Sequence, residues 1–199
     1  MDYKTEQEKF WAGEFGDEYL ERNTGEAAVA SNAALFSRIL ARTGSLGSIL
    51  ELGANIGLNL RALRRLLPEA ELAAIEINRE AARRLEEIGG VRVFATSVFD
   101  FQPDATWDLV FSKGVLIHIH PDELAPVYEL MHRTSRRYIL VAEYYNPSPV
   151  EVTYRGHAGR LFKRDFAGEL LDRFEGLSLV DYGFVYHRDP AAPQDDITW

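Results

Sequence analysis

The chain has 199 residues, 46% hydrophobic and 27% charged, which supplies a core for one domain and excludes an intrinsically disordered chain. Its net charge of −9 disfavours nucleic acid and anionic membranes as partners, since such a field repels polyanions at long range. Cysteine is absent, excluding disulfides and thiolate chemistry. No apolar run approaches the about 18 residues of a membrane span, and the polar start MDYKTEQEKFW does not read as a secretory signal, so a cytoplasmic protein is expected.

Residues 3–22, YKTEQEKFWAGEFGDEYLER, predict an aromatic-bearing helical segment, and 26–43, EAAVASNAALFSRILART, a helix of good formers. Gly44 and Gly47 break that pattern, and strands then alternate with helices. SILEL (48–52) predicts a buried strand and GLNLRALRRLLP (57–68) an amphipathic helix ending at Pro68. AELAAIEI (70–77) predicts a strand and NREAARRLEEIG (78–89) a helix with a C-terminal glycine. VRVFATS (91–97) and WDLVFSK (107–113) predict strands, and PDELAPVYELMHRT (121–134) a helix with Pro121 and acids in its first turn. RRYILVAEYY (136–145) predicts a strand, then a long loop to RDFAGELLDRF (164–174), a helix, and LSLVDYGFVYHR (177–188), a long strand. The tail APQDDITW (192–199) reads as the entry to one more strand, either very short or cut off at Trp199. This order argues for an α/β fold: a mostly parallel sheet with helices on both faces. A single domain is expected, with residues 1–44 as an N-terminal helical segment or lid and 45–199 as the core.

The turn ELGANIG (51–57) has the character of a nucleotide-binding turn. A dinucleotide fingerprint laid on Gly53 demands glycine at 55 and 58, where the chain has Asn55 and Leu58. The S-adenosylmethionine template, acid-x-G-x-G-x-G, laid on Glu51 finds Gly53, Asn55 and Gly57, departing only at Asn55. Asparagine enters left-handed backbone geometry with little strain, so this template fits better than that of an NAD-dependent oxidoreductase. A pyrophosphate needs several N–H groups at a helix N-terminus, whereas a methionine arm carries an ammonium that suits Glu51. Gly53, Ala54, Asn55 and Gly57 form the turn. Glu76, followed by Ile77, ends the second strand, where a carboxylate accepts ribose hydroxyls of either cofactor. Ser97 and Val98 in ATSVFDF stand where an adenine edge would meet a side-chain oxygen and a backbone N–H. Lys113, Gly114 and Val115 in FSKGVLIHIHPDEL would line the cofactor floor.

With these motifs quoted, the chain resembles the class I S-adenosylmethionine-dependent methyltransferases over roughly residues 45–188. A closer resemblance is to the pseudaminic-acid-biosynthesis-associated methylase group. It is carried by EQEKFWAGEFGDEYLERN, GVLIHIHPDEL, VAEYYNPSPVEVTYRGHAGRLFKRDF and VDYGFVYHRDPAAPQDDITW. The resemblance implies a Rossmann-like fold whose sheet has seven strands in the intact family member, mostly parallel with the penultimate long strand or its neighbour antiparallel, S-adenosyl-L-methionine as cofactor, and an acceptor near acidic nine-carbon sugar chemistry. It also implies a chain that continues past Trp199.

Methyl transfer from a sulfonium is an in-line displacement that gains from positioning, water exclusion and a general base. His118, Tyr144 and His157 are the candidate catalytic residues. The loop 142–166 concentrates Arg155, His157, Arg160, Lys163 and Arg164, a cluster able to clamp a phosphate or carboxylate. With Tyr145 and Asn146 it makes the candidate acceptor site. Phe10, Trp11, Phe15 and Tyr19 read as core or as a lid, and Tyr19, Arg22 and Asn23 are then placed to touch the methionine carboxylate. His118 and His120 lack a third ligand, so no metal is expected. The expected acceptor is a small polar, anionic molecule, an acidic or nucleotide-linked amino sugar methylated on oxygen or nitrogen. A peptide or protein acceptor, or a non-catalytic cofactor-binding protein on the same fold, are the rival readings.

Overall fold

The computed structural model describes residues 3–22 and 25–199. Helix α1 (Glu6–Ala12) starts at a capping box, in which Thr5 Oγ1 accepts from the Glu8 N–H and the Glu8 carboxylate returns to the Thr5 N–H. Helix α2 (Glu14–Arg22) follows after Gly13, so the expected helical segment is two helices. Gly16 permits their close approach: a Cβ there would stand 1.9 Å from the Trp11 carbonyl oxygen. Helix α3 (Glu26–Leu40) sends Val29, Leu35, Phe36 and Ile39 into the core.

The alternation then runs as expected. It comprises β1 (Ser48–Leu52), α4 (Leu58–Leu66), β2 (Glu71–Ile75), α5 (Arg79–Glu86), β3 (Val91–Phe94) and β4 (Trp107–Lys113). Two short 3-10 turns, Leu116–His118 and Pro121–Glu123, lead into α6 (Leu124–Thr134) and β5 (Ser135–Ala142). The five strands form one sheet in the order β3-β2-β1-β4-β5, and every neighbouring pair is parallel. Side chains alternate across it. Ile49, Leu72 and Leu109 pack with α3, α4 and α5. Leu50, Ala73 and Val110 pack with α6 on the opposite face. This is a Rossmann-like α/β fold, and it places the carboxyl ends of the strands along one rim.

The rest of the chain departs from expectation. Residues 142–166 are not a long loop. They contain a hairpin, β6 (Val150–Tyr154) and β7 (His157–Lys163), paired antiparallel with Tyr154 opposite His157. Arg155 (φ 49°) and Gly156 (φ 88°) both take left-handed geometry, which matches the twist of a two-residue hairpin turn. Helix α7 (Phe166–Arg173) is capped by Asp165, whose carboxylate accepts from Gly168 N at 2.9 Å. The long strand expected over 177–188 shrinks to β8 (Phe184–Val185), antiparallel to β9 (Ile197–Thr198). Strand formers make a strand only where a neighbour supplies ladder bonds. A cleft of about 440 Å³ lies between Leu179, Val180 and Tyr182 and the edge of β5. The tail expected to enter a strand does so at β9, and Thr198 also bridges Glu143 at the end of β5. Among the described residues the main sheet therefore has five strands, not seven. No helix among them is long and apolar enough to cross a membrane.

Candidate functional site

A cavity of about 390 Å³ opens where the turns after β1, β2, β3 and β4 converge, roofed by α1 and α2. At the β1 turn, Gly53 (φ 63°), Asn55 (φ 50°) and Gly57 (φ 78°) all lie in the left-handed region. Asn55 thus adopts the backbone that glycine would supply, and its Oδ1 accepts from Ile56 N at 2.6 Å. A Cβ on Gly53 would come within 2.7 Å of Val115, and one on Gly57 within 2.6 Å of Ile88. Gly53, Ala54 and Asn55 line the cavity; Gly57 does not, and serves the packing of α4 on α5.

Glu51 is buried beneath this turn. Its Oε1 accepts from Asn59 Nδ2 at 2.6 Å. Its Oε2 and Asn59 Oδ1 are buried without hydrogen-bond partners among the described residues. Burial pushes the Glu51 carboxyl up to about 8, against the opposing pull of Asn59 and Lys113. Glu51 itself does not line the cavity but Asn59 does, so the carboxylate reaches that space through its amide partner. Asn59 was not singled out from sequence. Its position on the first turn of the helix after the glycine turn was the available signal.

Glu76 lines the cavity at the end of β2. Its Oε2 accepts from Asn55 N at 2.6 Å and its Oε1 from Asn78 N at 2.7 Å, so it braces the β1 turn and keeps a lone pair on each oxygen. Burial raises its pKa, opposed by those backbone bonds. Ile77, Val98, Lys113, Gly114 and Val115 line the same space. Burial lowers the Lys113 pKa, and the charges of Glu51, Asp195 and Glu143 oppose that. Ser97 also lines it, but its hydroxyl is not free for a base edge: Oγ donates to Glu8 Oε1 on α1 and accepts from Phe99 N at 3.1 Å. Beneath the floor, Glu143 accepts from Ser112 Oγ at 2.6 Å and from Val115 and Leu116 N at 3.1 Å, which fixes the loop carrying Lys113 and His118.

On the other side of the cavity, His118 Nδ1 lies 2.6 Å from the Arg160 carbonyl oxygen. That oxygen only accepts, so Nδ1 carries the proton and Nε2 presents a lone pair. Burial lowers the His118 pKa to about 4, so the ring is neutral at physiological pH. Trp11 and Tyr154 flank it at ring-centroid distances of 4.6 and 5.0 Å. Trp11 Nε1 is buried with no partner among the described residues. Tyr19 lines the cavity as well, while Asn23 and the side chain of Arg22 lie outside the described residues.

The remaining expected acceptor residues are not brought together. His157 is exposed and packs on Phe10 and Phe15 at 5.0 and 5.6 Å, away from the cavity wall. Tyr144 packs beside α6 and α7, outside the cavity lining, and burial raises its pKa. Tyr145 faces the cleft beside β5, and Asn146 closes a local turn on the Ser148 carbonyl. The basic residues do not form a clamp. Arg155 sits at the exposed hairpin tip over Tyr154, Arg160 over Phe10 and Lys163 over Tyr144, while Arg164 pairs with Glu169 at 2.5 Å. Strand alternation explains this: Arg160 and Lys163 are three residues apart and project to opposite faces of β7. No group of three or more His, Asp or Glu side chains among the described residues is arranged to hold a metal.

Residues 49–137 match the family model of a methyltransferase domain. That span contains β1 except Ser48, β2 to β4, the glycine turn, Glu76 and His118. No protein of curated function matches the sequence significantly. Among solved structures, the chain is similar to the Burkholderia thailandensis 1,6-didemethyltoxoflavin-N1-methyltransferase, with 19% identity and a TM-score of 0.67 over 96% of this chain and 84% of that one. It is also similar to a sugar N-methyltransferase from a Streptoalloteichus species, at 19% identity and a TM-score of 0.55 over 73% and 62%. A third is the plantazolicin methyltransferase, at 16% identity and a TM-score of 0.56; the alignment takes in 69% of this chain and spans 57% of the length of that relative. The first and third were crystallised with S-adenosylhomocysteine.

Proposed function

We propose that the protein is an S-adenosyl-L-methionine-dependent methyltransferase acting on an oxygen or nitrogen of a small polar acceptor. The observation that carries this reading is the Glu51–Asn59 pair: two buried, unpartnered oxygens beneath a left-handed turn, of which the Asn59 side chain lines the same cavity as Glu76. A buried unpaired acceptor costs free energy that a cationic donor offsets, and the methionine arm brings an ammonium. Glu76 accepts the ribose hydroxyls, and the rim beyond β3 takes the base. The residues present therefore fit the cofactor, which supplies the activated methyl group when bound. Related folds crystallised with S-adenosylhomocysteine support the same reading.

His118 orients the acceptor. Its Nε2 takes a hydrogen bond from the attacking hydroxyl or amine and aligns it, while a pKa of about 4 makes the ring a weak proton sink. Trp11 walls the acceptor side and excludes water, backed by Tyr154, and Trp11 Nε1 offers a donor to a polar substituent. Helices α1 and α2 act as the lid. The acceptor proposed is an acidic or nucleotide-linked amino sugar: its C–H faces suit the Trp11 wall, and Lys113 is a cation that lines the same cavity. The sugar N-methyltransferase on the same fold supports that class.

Calorimetric titration with S-adenosylhomocysteine, run beside NAD, tests the cofactor. Micromolar binding of the first and none of the second is expected; the reverse would overturn the reading. Methyl transfer to a panel of amino sugars, nucleotide sugars and nitrogen heterocycles then tests the acceptor, and turnover of heterocycles alone would replace the sugar.

A further inference from the structure

We infer that Glu8, on the lid helix α1, is the residue that selects adenine as the cofactor base. This rests on the S-adenosylmethionine reading and adds a specificity determinant that no motif of the core supplies. Three carboxyl ends of strands follow one another along the cavity: the β1 turn takes the amino-acid arm, Glu76 after β2 the ribose, and the turn after β3 the base. At that third position the core offers Ser97 and Val98, and the Ser97 hydroxyl is already donated to Glu8.

The carboxylate of Glu8 is nearly fully buried, lines the cavity, and is held from two sides. Its Oε2 accepts from the Lys4 and Thr5 N–H groups at 2.6 and 2.8 Å. Its Oε1 accepts from Ser97, whose oxygen is in turn fixed by Phe99 N. Lys4 ties the start of α1 to the same turn through Asp100 at 2.5 Å. Only acceptor capacity remains on Oε1. An acceptor at the base edge welcomes the exocyclic amine of adenine and rejects a carbonyl in its place, because the wrong base leaves two acceptors facing each other.

The capping box gives Glu8 a structural duty as well, so the test must separate the two. Glu8→Gln does so. Glutamine keeps a capping-box acceptor for the Thr5 N–H and turns the other atom from acceptor to donor. Calorimetric affinities of the full chain for S-adenosylhomocysteine and S-inosylhomocysteine are compared with those of E8Q, with thermal midpoints as the check on folding. Wild type is expected to prefer the adenine compound, and E8Q to shrink that preference by about tenfold or more, or to reverse it, since one charge-assisted hydrogen bond is exchanged. Ser97→Ala, which keeps the carboxylate, is expected to retain the sign of the preference. An unchanged adenine-to-inosine ratio in a folded E8Q that still binds S-adenosylhomocysteine overturns this assignment alone. Failure of the wild type to bind either compound overturns it together with the cofactor reading.

Discussion

The two walls of the cavity are built on different principles. The cofactor wall is made from backbone: left-handed turn residues, strand ends and carboxylates braced by N–H groups within about a strand's length of each other along the sheet. The wall proposed for the acceptor is made from side chains on segments far apart in the chain: Trp11 from α1 and His118 from the β4 loop, with Tyr154 of the hairpin packed behind His118. One connection across it, Gln7 Nε2 to the Gly159 carbonyl, spans 152 residues. The contacts proposed for the amino-acid arm and ribose sit on the wall that local geometry builds. Those proposed for the acceptor, and the Glu8 contact proposed for the base, sit where long-range packing builds.

If that division holds, single changes separate cofactor affinity from turnover. The largest effect is expected at Glu76→Ala, which removes two ribose acceptors and the brace on Asn55; affinity for S-adenosylhomocysteine falls about a hundredfold or more by calorimetry. Next is His118→Ala, which lowers kcat about a hundredfold while cofactor affinity stays within about twofold. A fall in affinity as large as that in kcat would break the comparison. Because the His118 pKa lies at about 4 and the neutral ring is the useful form, the kcat profile should lose activity on the acid side only as pH drops towards that value.

Glu51→Gln is expected to weaken cofactor binding about tenfold and also to move the pH dependence of stability. The folded carboxyl titrates at about 8, above its ordinary range, so between that range and 8 the folded state holds more protons than the unfolded state. Stability therefore falls as pH rises through this window, and the glutamine variant should lose that fall in thermal midpoints taken at intervals across it. The smallest effect is expected at Arg155→Ala. An exposed cation on the hairpin tip should change the acceptor KM by less than about threefold and leave cofactor affinity unaltered.

Legibility in the sequence follows the same line. The parallel order of β1 to β5, the glycine turn with Asn55 standing in for glycine, and the position of Glu76 were all readable. They depend on apolar periodicity and on which residues tolerate positive φ, and both are properties of a few neighbouring residues. The basic cluster of 155–164 was misleading because residues close in sequence project to opposite faces once a hairpin forms. Tyr144 and His157 were candidates because they fall in the stretch 142–166 read as a long loop at the strand ends, but neither reaches the cavity wall. The long strand over 177–188 had the right composition and lacked a partner to pair with.

By itself the sequence determined the alternation of strands and helices, the rim on which the cavity opens, and the left-handed character of the β1 turn, since each follows from local backbone preference and hydrophobic pattern. Only the tertiary structure decided that Asn59 shares the burden of Glu51, that the Arg160 carbonyl sets the tautomer of His118, and that Glu8 closes over Ser97. Those three depend on where side chains from distant segments point and how deeply they are buried, which no local pattern encodes.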